Sequence, residues 1–362
     1  MPSITVVQSS FAILGSLFHQ KRNLLKARVT PYQHVRLFPP ESLVVNQSVL
    51  GSGEPTLLCN QVESVSNKGV DLHATHSGIL AARSCRCSAS CGEEADRVFD
   101  LYNNAYGNYA SDPYRQVRIE TYGRDFGQTS WVTTDESLAI PRLLNLGPDS
   151  SLLEVGCGSG GYALHLAEKI GCRIVGVDIN EFGIRSAKEL AQTRALGSRA
   201  RFEQCDVSKK LPFDDGTFDA VFSNDVLCHV SGRLTLLVEV FRVLKPSGRM
   251  LFSDALVIGG MISAEEIATR SSIGFYFYSP PGENERLLQK AGFPQVTTTD
   301  TTENAARISK KWLDAREKRK EELVAAEGSS NFEGLQRFLS WVHTLTSERR
   351  LLRYLYFARK TS

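Results

Sequence analysis

Between positions 152 and 161 the chain reads LLEVGCGSGG, an apolar run that ends in an acid and breaks into glycines. A short apolar run closed by a turn signal predicts a buried strand. The YALHLAEKI that follows spaces its apolar residues at helical period, so a helix is expected to begin near Tyr162. Glycine at the junction lets backbone approach a ligand closely, because no Cβ stands in the way. Strand, glycine turn and helix in that order make a nucleotide site at the carboxyl end of a parallel sheet. Alone, the turn is also compatible with an ordinary strand-to-helix connection, and the downstream strands narrow the choice.

CRIVGVDIN (172–180) is a second apolar run, and it ends at Asp178. That acid falls about 20 residues past the glycine turn, where dinucleotide-type folds place the carboxylate that binds ribose hydroxyls. ARFEQCDV (200–207) ends at Asp206, FDAVFSNDVLCHV (218–230) ends in a polar cluster, and GRMLFSDAL (248–256) follows the turn RVLKPSG. Strands that repeatedly end in Asp, Asn or His point at one crevice. Helical segments between them indicate an α/β fold with a mostly parallel sheet.

The combination EVGCGSGG, VDI, CDV, PFDDGTFDAVFSNDVLCH and VLKPSGRMLFSD resembles the class I S-adenosylmethionine (SAM)-dependent methyltransferases over about residues 102–360. GCGSGG with this fourth strand fits them better than the GxGxxG of a dehydrogenase. Two segments narrow the resemblance to phosphoethanolamine and sarcosine/dimethylglycine N-methyltransferases. PYRQVRIETYGRDFGQTSWVTTDE (113–136) is similar to their N-terminal cap, with a Tyr, a second Tyr eight positions on, then FG and a Ser/Thr-rich stretch. SNDVLCH is similar to their S-x-D-x-x-x-H. The implied fold is a Rossmann-like, seven-stranded, mostly parallel sheet with a helical N-terminal cap and a lid insertion after the fifth strand.

The resemblance also implies roles. SAM is the cofactor and S-adenosylhomocysteine (SAH) its product. Asp178 accepts from the ribose hydroxyls, a charge-assisted contact. Asp206 accepts from the adenine amino group while the Val207 N–H meets the ring. Gly156 and Gly158 make room for the methionine part, and Gly160 joins them or serves packing. Glu154, Ile179 and Asn224 complete that wall, Asn224 standing where some phosphoethanolamine enzymes carry Arg. Trp131 and Val132 are where the cap touches the cofactor. The catalytic set is Tyr114, Asp225 and His229. Tyr114 stands eight positions before Tyr122, and Tyr106 and Tyr109 are further cap tyrosines. Asp225 and His229 are four apart, on one face of a helix if strand four runs into one. His is the usual proton acceptor near neutral pH, and Asp225 is expected to touch the amine. For the acceptor, Tyr276 and Tyr278 offer cation–π faces, and Arg350 matches a basic phosphate ligand whose charge also suits a carboxylate.

Net charge is +2 over 362 residues, so bulk electrostatics does not point to nucleic acid. No apolar run approaches the ~18–20 residues of a membrane helix. Eight cysteines in so long a chain make no disulfide scaffold. Residues 1–92 are Ser- and Arg-rich and acid-poor, without periodicity, as in a transit peptide or a disordered extension. A mitochondrial or plastid location follows from the first, with the cytoplasm as alternative. CRCSASC (85–91) lacks the second half of a zinc spacing, and no metal site is expected. Residues 93–362 form one catalytic domain, with cap 93–150 and core 151–362, acting as a monomer or weak homo-oligomer. Helices are expected at 94–109, 115–122, 263–277, 283–292, 303–327 and 331–346, and late strands at 294–300 and 351–360.

The expected activity is methyl transfer to a small polar molecule at an amine nitrogen. A substrate amine is mostly protonated at neutral pH, near lysine's ~10.4, so the site must take its proton or admit only the free base. The rivals are S- or C-methylation of a methylthio acid or a prenyl- or sterol-like molecule, which carries no ammonium proton, and a non-catalytic SAM-binding protein.

Overall fold

A computed structural model describes residues 99–362. The 1–92 extension, the 85–91 cysteines and the start of the first expected helix lie outside the described residues. From Ser151 onward, strands and helices alternate: β1 (Ser151–Val155), α4 (Gly161–Ile170), β2 (Arg173–Asp178), α5 (Glu181–Thr193), β3 (Ala200–Gln204), β4 (Phe218–Asn224), α6 (Arg233–Val243) and β5 (Leu244–Ile258). Ahead of them stand α1 (Tyr102–Gly107), α2 (Asp112–Tyr122) and α3 (Thr134–Leu144). The chain ends with α7 (Ala264–Arg270), α8 (Glu283–Lys290), β6 (Val296–Asp300), α9 (Thr302–Glu317), α10 (Lys320–Glu327), α11 (Ser329–Ser347) and β7 (Leu351–Arg359).

The seven strands form one sheet in the order β3-β2-β1-β4-β5-β7-β6. β1 to β5 pair in parallel, and β7 runs antiparallel to both β5 and β6. Strands covered on both faces need continuous apolar runs rather than alternation. Leu152 and Leu153 are both fully buried although they point to opposite faces. Each such side chain contributes about 1.5–3 kcal/mol on burial. Leu152 joins the core under α4 and α5, and Leu153 the core under α6 and α8.

A third core lies off the sheet. Between β6 and β7 the chain inserts α9 to α11, whose Ile308, Trp312, Phe338 and Leu339 pack with Leu101, Tyr114, Val117 and Trp131 of the N-terminal cap. Cap and insertion therefore form one helical layer over the carboxyl ends of the strands, with α9 against α2 and α11.

Several expected elements are shorter than the sequence implied. The helix expected over 303–327 is two, α9 and α10. The break folds α10 back so that Glu327, fully buried, pairs with Arg316. In one continuous helix those residues would stand about 16 Å apart along the axis. The lid helix ends at Arg270, because the following segment docks as extended chain: the Phe277 N–H donates to Cys228 O at 2.8 Å and the Ser279 N–H to Leu256 O at 2.8 Å. Strand four does not run into a helix carrying Asp225 and His229 on one face. Asp225 has φ +56°, and a single 3-10 turn, Leu227–His229, follows.

Candidate functional site

The glycine turn after β1 is left-handed at Gly156 (φ +75°) and Gly158 (φ +50°), a conformation that disfavours any Cβ. A Cβ on Gly156 would stand 2.2 Å from Val226, and one on Gly158 2.9 Å from the Tyr106 ring. The turn is fastened from β2: Asp178 accepts the Gly158 N–H and the Asn180 N–H, each at 2.8 Å. Burial raises the Asp178 carboxyl above its ordinary value, against these N–H bonds, which favour the charged form.

Above this turn lies a cavity of about 490 Å³. Glu154, Gly156, Gly158, Asp178, Ile179, Asp206, Val207 and Asn224 line one end, with the Tyr106 ring over Gly158, and Val132, Tyr102, His229 and Phe275 line the other. Asp225 borders both. Among the described residues that line it, none is Lys or Arg. Ile179 is 67 % exposed, an apolar face open to a flat ring. Glu154 is buried, and its Oε2 has no hydrogen-bond partner. Burial, then the nearby Asp178, pushes its carboxyl well up. Asp206 is held below the usual range by Ser208, whose hydroxyl and N–H donate to Oδ1 at 2.6 and 3.1 Å, with Lys209 beside it. These residues fit SAM: an orphaned buried carboxylate for its α-ammonium, strand-end acids for its hydroxyls and base, and a glycine cradle that a Cβ would fill.

Asp225 is not free to touch an amine. Its Oδ1 accepts from the Arg353 Nε at 2.9 Å and its Oδ2 from the Trp131 N–H at 2.9 Å. Arg353, fully buried, also donates to Glu136 at 2.8 Å and Thr301 at 2.9 Å. Glu136 is in turn the partner of Thr133 in a capping box at the start of α3. Asp225 thus ties the last strand to the cap.

The tyrosine beside His229 is Tyr102, not Tyr114. The Tyr102 hydroxyl is 3.1 Å from His229 Nε2, and the rings meet edge to face at 5.7 Å. His229 Nδ1 lies 3.0 Å from the Phe275 carbonyl. That oxygen only accepts, so Nδ1 carries the proton and Nε2 accepts from Tyr102. Burial, then Arg270, lowers the His229 pKa to about 4.

Tyr114 sits in the helical core under the insertion and donates to Glu327 at 2.6 Å, because α10 folds that buried carboxylate over α2. Other expected residues also stand outside the cavity. Gly160 faces Ala187 and Phe202 and serves helix–strand packing. The Trp131 ring packs on Trp312 and Phe338. Arg350 is held by Glu266 at 2.6 Å and Glu348 at 2.7 Å, so it offers no free charge to an acceptor. The Tyr278 hydroxyl lies 3.0 Å from that of Ser271, and Tyr276 stands behind His229 with ring centroids 4.3 Å apart. Sequence reasoning passed over Tyr102. The spacing of Tyr102 and Tyr106, four apart in YNNAYG, was the available signal for a shared helix face.

Residues 153–252 match a family described as "Methyltransferase domain". The chain is 31 % identical over 227 residues to phosphoethanolamine N-methyltransferase 1 of Zea mays, covering 61 % of this chain and 44 % of that protein. It is 27 % identical over 257 residues to the glycine/sarcosine/dimethylglycine N-methyltransferase of Actinopolyspora halophila, covering 64 % and 44 %. The chain thus spans less than half the length of these curated relatives. Among solved structures, Haemonchus contortus phosphoethanolamine N-methyltransferase 2, in complex with phosphomonomethylethanolamine and S-adenosylhomocysteine, superposes with a TM-score of 0.62 at 21 % identity, over 73 % of this chain and 61 % of that one.

Proposed function

We propose that this chain, a class I SAM-dependent methyltransferase by its domain, its relatives and its sheet, transfers a methyl group to the nitrogen of a small acceptor. One observation carries the proposal: a single cavity has the glycine turn and strand-end acids at one end and the neutral Tyr102–His229 pair at the other. The curated relatives named above, N-methyltransferases of small amines, support nitrogen as the acceptor atom.

SAM, when bound, supplies a methyl group on a positively charged sulfur. Glu154 and Asp178 would hold it, Ile179 and Val207 would flank its base, and Asp206 would bond the base's edge. At the other end, His229 fixes the Tyr102 hydroxyl as a donor to Nε2, which leaves the phenolic oxygen free to accept from an acceptor N–H. Val132, Ile273 and Phe275 give that point an apolar wall, and desolvation favours the uncharged amine. Tyr106, bonded to Thr129 at 2.9 Å, closes the cap over the glycine turn.

A second acceptor class, a thioether or an uncharged apolar molecule, is favoured by the absence of Lys and Arg among the described residues that line the cavity. Incubating the full chain with labelled SAM and a panel of glycine, sarcosine, dimethylglycine, phosphoethanolamine, methylthio acids and uncharged prenyl compounds separates the two. No transfer to any amine would end the N-methyltransferase reading. Asp178→Ala should weaken SAH binding by tenfold or more, since a charge-assisted contact is worth about 1.5–3 kcal/mol; unchanged affinity by calorimetry would remove the cofactor assignment. The composition of residues 1–92 supports import into a mitochondrion or plastid, and a fluorescent fusion of that segment that stays diffuse in the cytosol would count against it.

A further inference from the structure

One buried cation fastens the lid to the turn that carries His229. Arg233, the first residue of α6, is 7 % exposed and does not line the cavity. Its Nε donates to Leu227 O at 3.2 Å, and its Nη1 donates to Ser279 Oγ and Asn284 Oδ1, each at 2.7 Å. Its charge is answered by Asp254, fully buried on β5, whose Oδ2 lies 3.0 Å from Nη1. Asn284, near the start of α8, closes the cluster by donating from Nδ2 to the same Asp254 oxygen at 3.0 Å. Asp254 Oδ1 accepts the Leu256 N–H at 3.0 Å, and of the guanidinium nitrogens Nη2 alone has no partner. Desolvation offsets most of the attraction in such a buried pair, so it adds little net stability. What it does supply is geometry, from donors set in a rigid planar fork.

The fork joins two segments that meet at His229. Leu227 opens the single turn Leu227–His229, and its carbonyl also accepts the Val230 N–H at 3.1 Å. Ser279 ends the extended lid segment. That segment lies along the turn and β5: the Phe277 N–H donates to Cys228 O, the Ser279 N–H to Leu256 O, each at 2.8 Å, and the Ile258 N–H to Ser279 O at 2.9 Å. Four residues before Ser279, the Phe275 carbonyl meets His229 Nδ1 at 3.0 Å. The Phe275 and Phe277 rings are 59 % and 38 % exposed, so hydrogen bonds, more than burial of these rings, dock the segment. Arg233 therefore grips the turn two residues before His229 and the lid four residues after the carbonyl that His229 meets.

Building on the methyltransferase reading above, we propose that Arg233 is a positioning residue for the acceptor end of the cavity: by bonding the 227–229 turn and the 275–279 segment at once, it sets the lid over the acceptor and holds the His229 ring with Nδ1 on Phe275 O and Nε2 toward Tyr102. Without that grip the segment leaves the turn, the imidazole is free to rotate, and the Phe275 wall of the cavity is lost. The cofactor end is held separately, by Asp178 of β2 on the Gly158 N–H. Acceptor binding and turnover therefore depend on Arg233, and cofactor affinity does not. A lysine would answer Asp254 as a point charge, but it has no fork with which to span Leu227, Ser279 and Asn284.

The test is amide hydrogen exchange, read by NMR on the full chain with SAH bound, in Arg233→Lys and Ser279→Ala. The second variant cuts only the bond to the lid and leaves Arg233 paired with Asp254. In both, the Phe277 and Ile258 amides should exchange tenfold or more faster than in the wild type, as expected for loss of a hydrogen bond to a charged donor, while the Leu153 amide of β1 keeps its rate. The His229 ring nitrogens, one Nδ1-protonated tautomer in the wild type, should show a mixture of tautomers. SAH affinity should change less than threefold, and KM for any acceptor the wild type methylates should rise tenfold or more. Wild-type exchange at Phe277 and Ile258 in Ser279→Ala would overturn the proposal. So would an acceleration shared equally by Leu153, since the cluster would then support the whole fold, or a tenfold loss of SAH affinity. Should Arg233→Lys fail to fold, Ser279→Ala decides. Methyl transfer is scored separately: wild-type protein that binds SAH but methylates nothing refutes the reading beneath, while exchange and the His229 tautomer still decide the role of Arg233.

Discussion

Arg353→Met removes the one cation that answers both Asp225 and Glu136. Arg353 and the Asp225 carboxylate are at most 4 % exposed, and Glu136 is 13 % exposed. Breaking a buried pair by deleting one partner costs about 3–5 kcal/mol, because a charge is left in low dielectric. Here each carboxylate keeps one N–H, from Trp131 and Thr133, so the lower end applies, about 3 kcal/mol. For a domain of this size each kcal/mol lowers the melting midpoint by about 2 °C, giving a drop of roughly 6 °C. Asp225→Asn combined with Arg353→Met should recover part of the loss, since no charge then remains stranded on β4. The assay is urea denaturation of the four proteins of the cycle, read by fluorescence, with SAH affinity measured beside it. The pair's coupling should exceed about 1 kcal/mol, and SAH affinity should fall less than tenfold. Arg353→Met unfolding at the wild-type urea midpoint with an unchanged slope would refute the buried network. Asp225→Asn of wild-type stability that has lost turnover would return Asp225 to a direct catalytic role.

Gly156→Ala puts a Cβ against Val226 in a left-handed turn, at a cost of at least 1–2 kcal/mol; SAH affinity should fall tenfold or more by calorimetry, and an unaffected variant would mean that the turn does not cradle the cofactor. Tyr114→Phe should cost about 1–2 kcal/mol of stability by removing the donor to buried Glu327 while leaving kcat unchanged, whereas Tyr102→Phe should lower kcat with little change in melting; the reverse pattern would restore Tyr114 to the site. His229, lowered from 6.5 to about 4 in the folded chain, binds fewer protons folded than unfolded, so its contribution is complete above pH 6.5 and is lost as pH falls toward 4. That is about 2 kcal/mol between pH 7 and pH 5, and His229→Asn, lacking it, should show a correspondingly flatter pH dependence of unfolding free energy.

The cofactor end of the cavity was legible in the sequence because its determinants are local. A buried parallel strand, a glycine turn and a strand-end acid occur within about 30 residues of one another, and the backbone itself converts that spacing into position. The acceptor end was not, because it is assembled from contacts far apart in the chain. Tyr102 reaches His229 across 127 positions and Arg353 reaches Asp225 across 128. The Tyr114 register with FG was a sound local pattern, but what α2 faces is set by α9 and α10, which arrive about 200 residues later and supply Glu327 as its partner. The 303–327 segment read as one helix for the same reason: its apolar spacing is continuous, and only the Arg316–Glu327 pair explains the reversal between α9 and α10.

Charge is what distinguishes the two ends. Four carboxylates line the cavity: Glu154, Asp178, Asp206 and Asp225. Asp178 is occupied by two backbone N–H groups, Asp206 by Ser208 and Lys209, and Asp225 by Arg353 and Trp131. Among these four, Glu154 alone keeps a buried oxygen without a partner, so the one uncommitted carboxyl, which burial holds toward its neutral form, stands where an ammonium of the cofactor would lie and would restore its charge. The acceptor end has no uncommitted charge of either sign. It offers the Tyr102 oxygen and ring, the Phe275 ring and a neutral imidazole. In the proposed transfer to nitrogen, an acceptor there would be held by shape and one hydrogen bond until the methyl group arrives. Once nitrogen carried the positive charge, the same rings would face a cation and attract it. Binding that strengthens as charge develops is binding of the transition state, and it requires that the wall be uncharged beforehand, which is the condition that the pairing of Asp225 with Arg353 and the neutral state of His229 together satisfy.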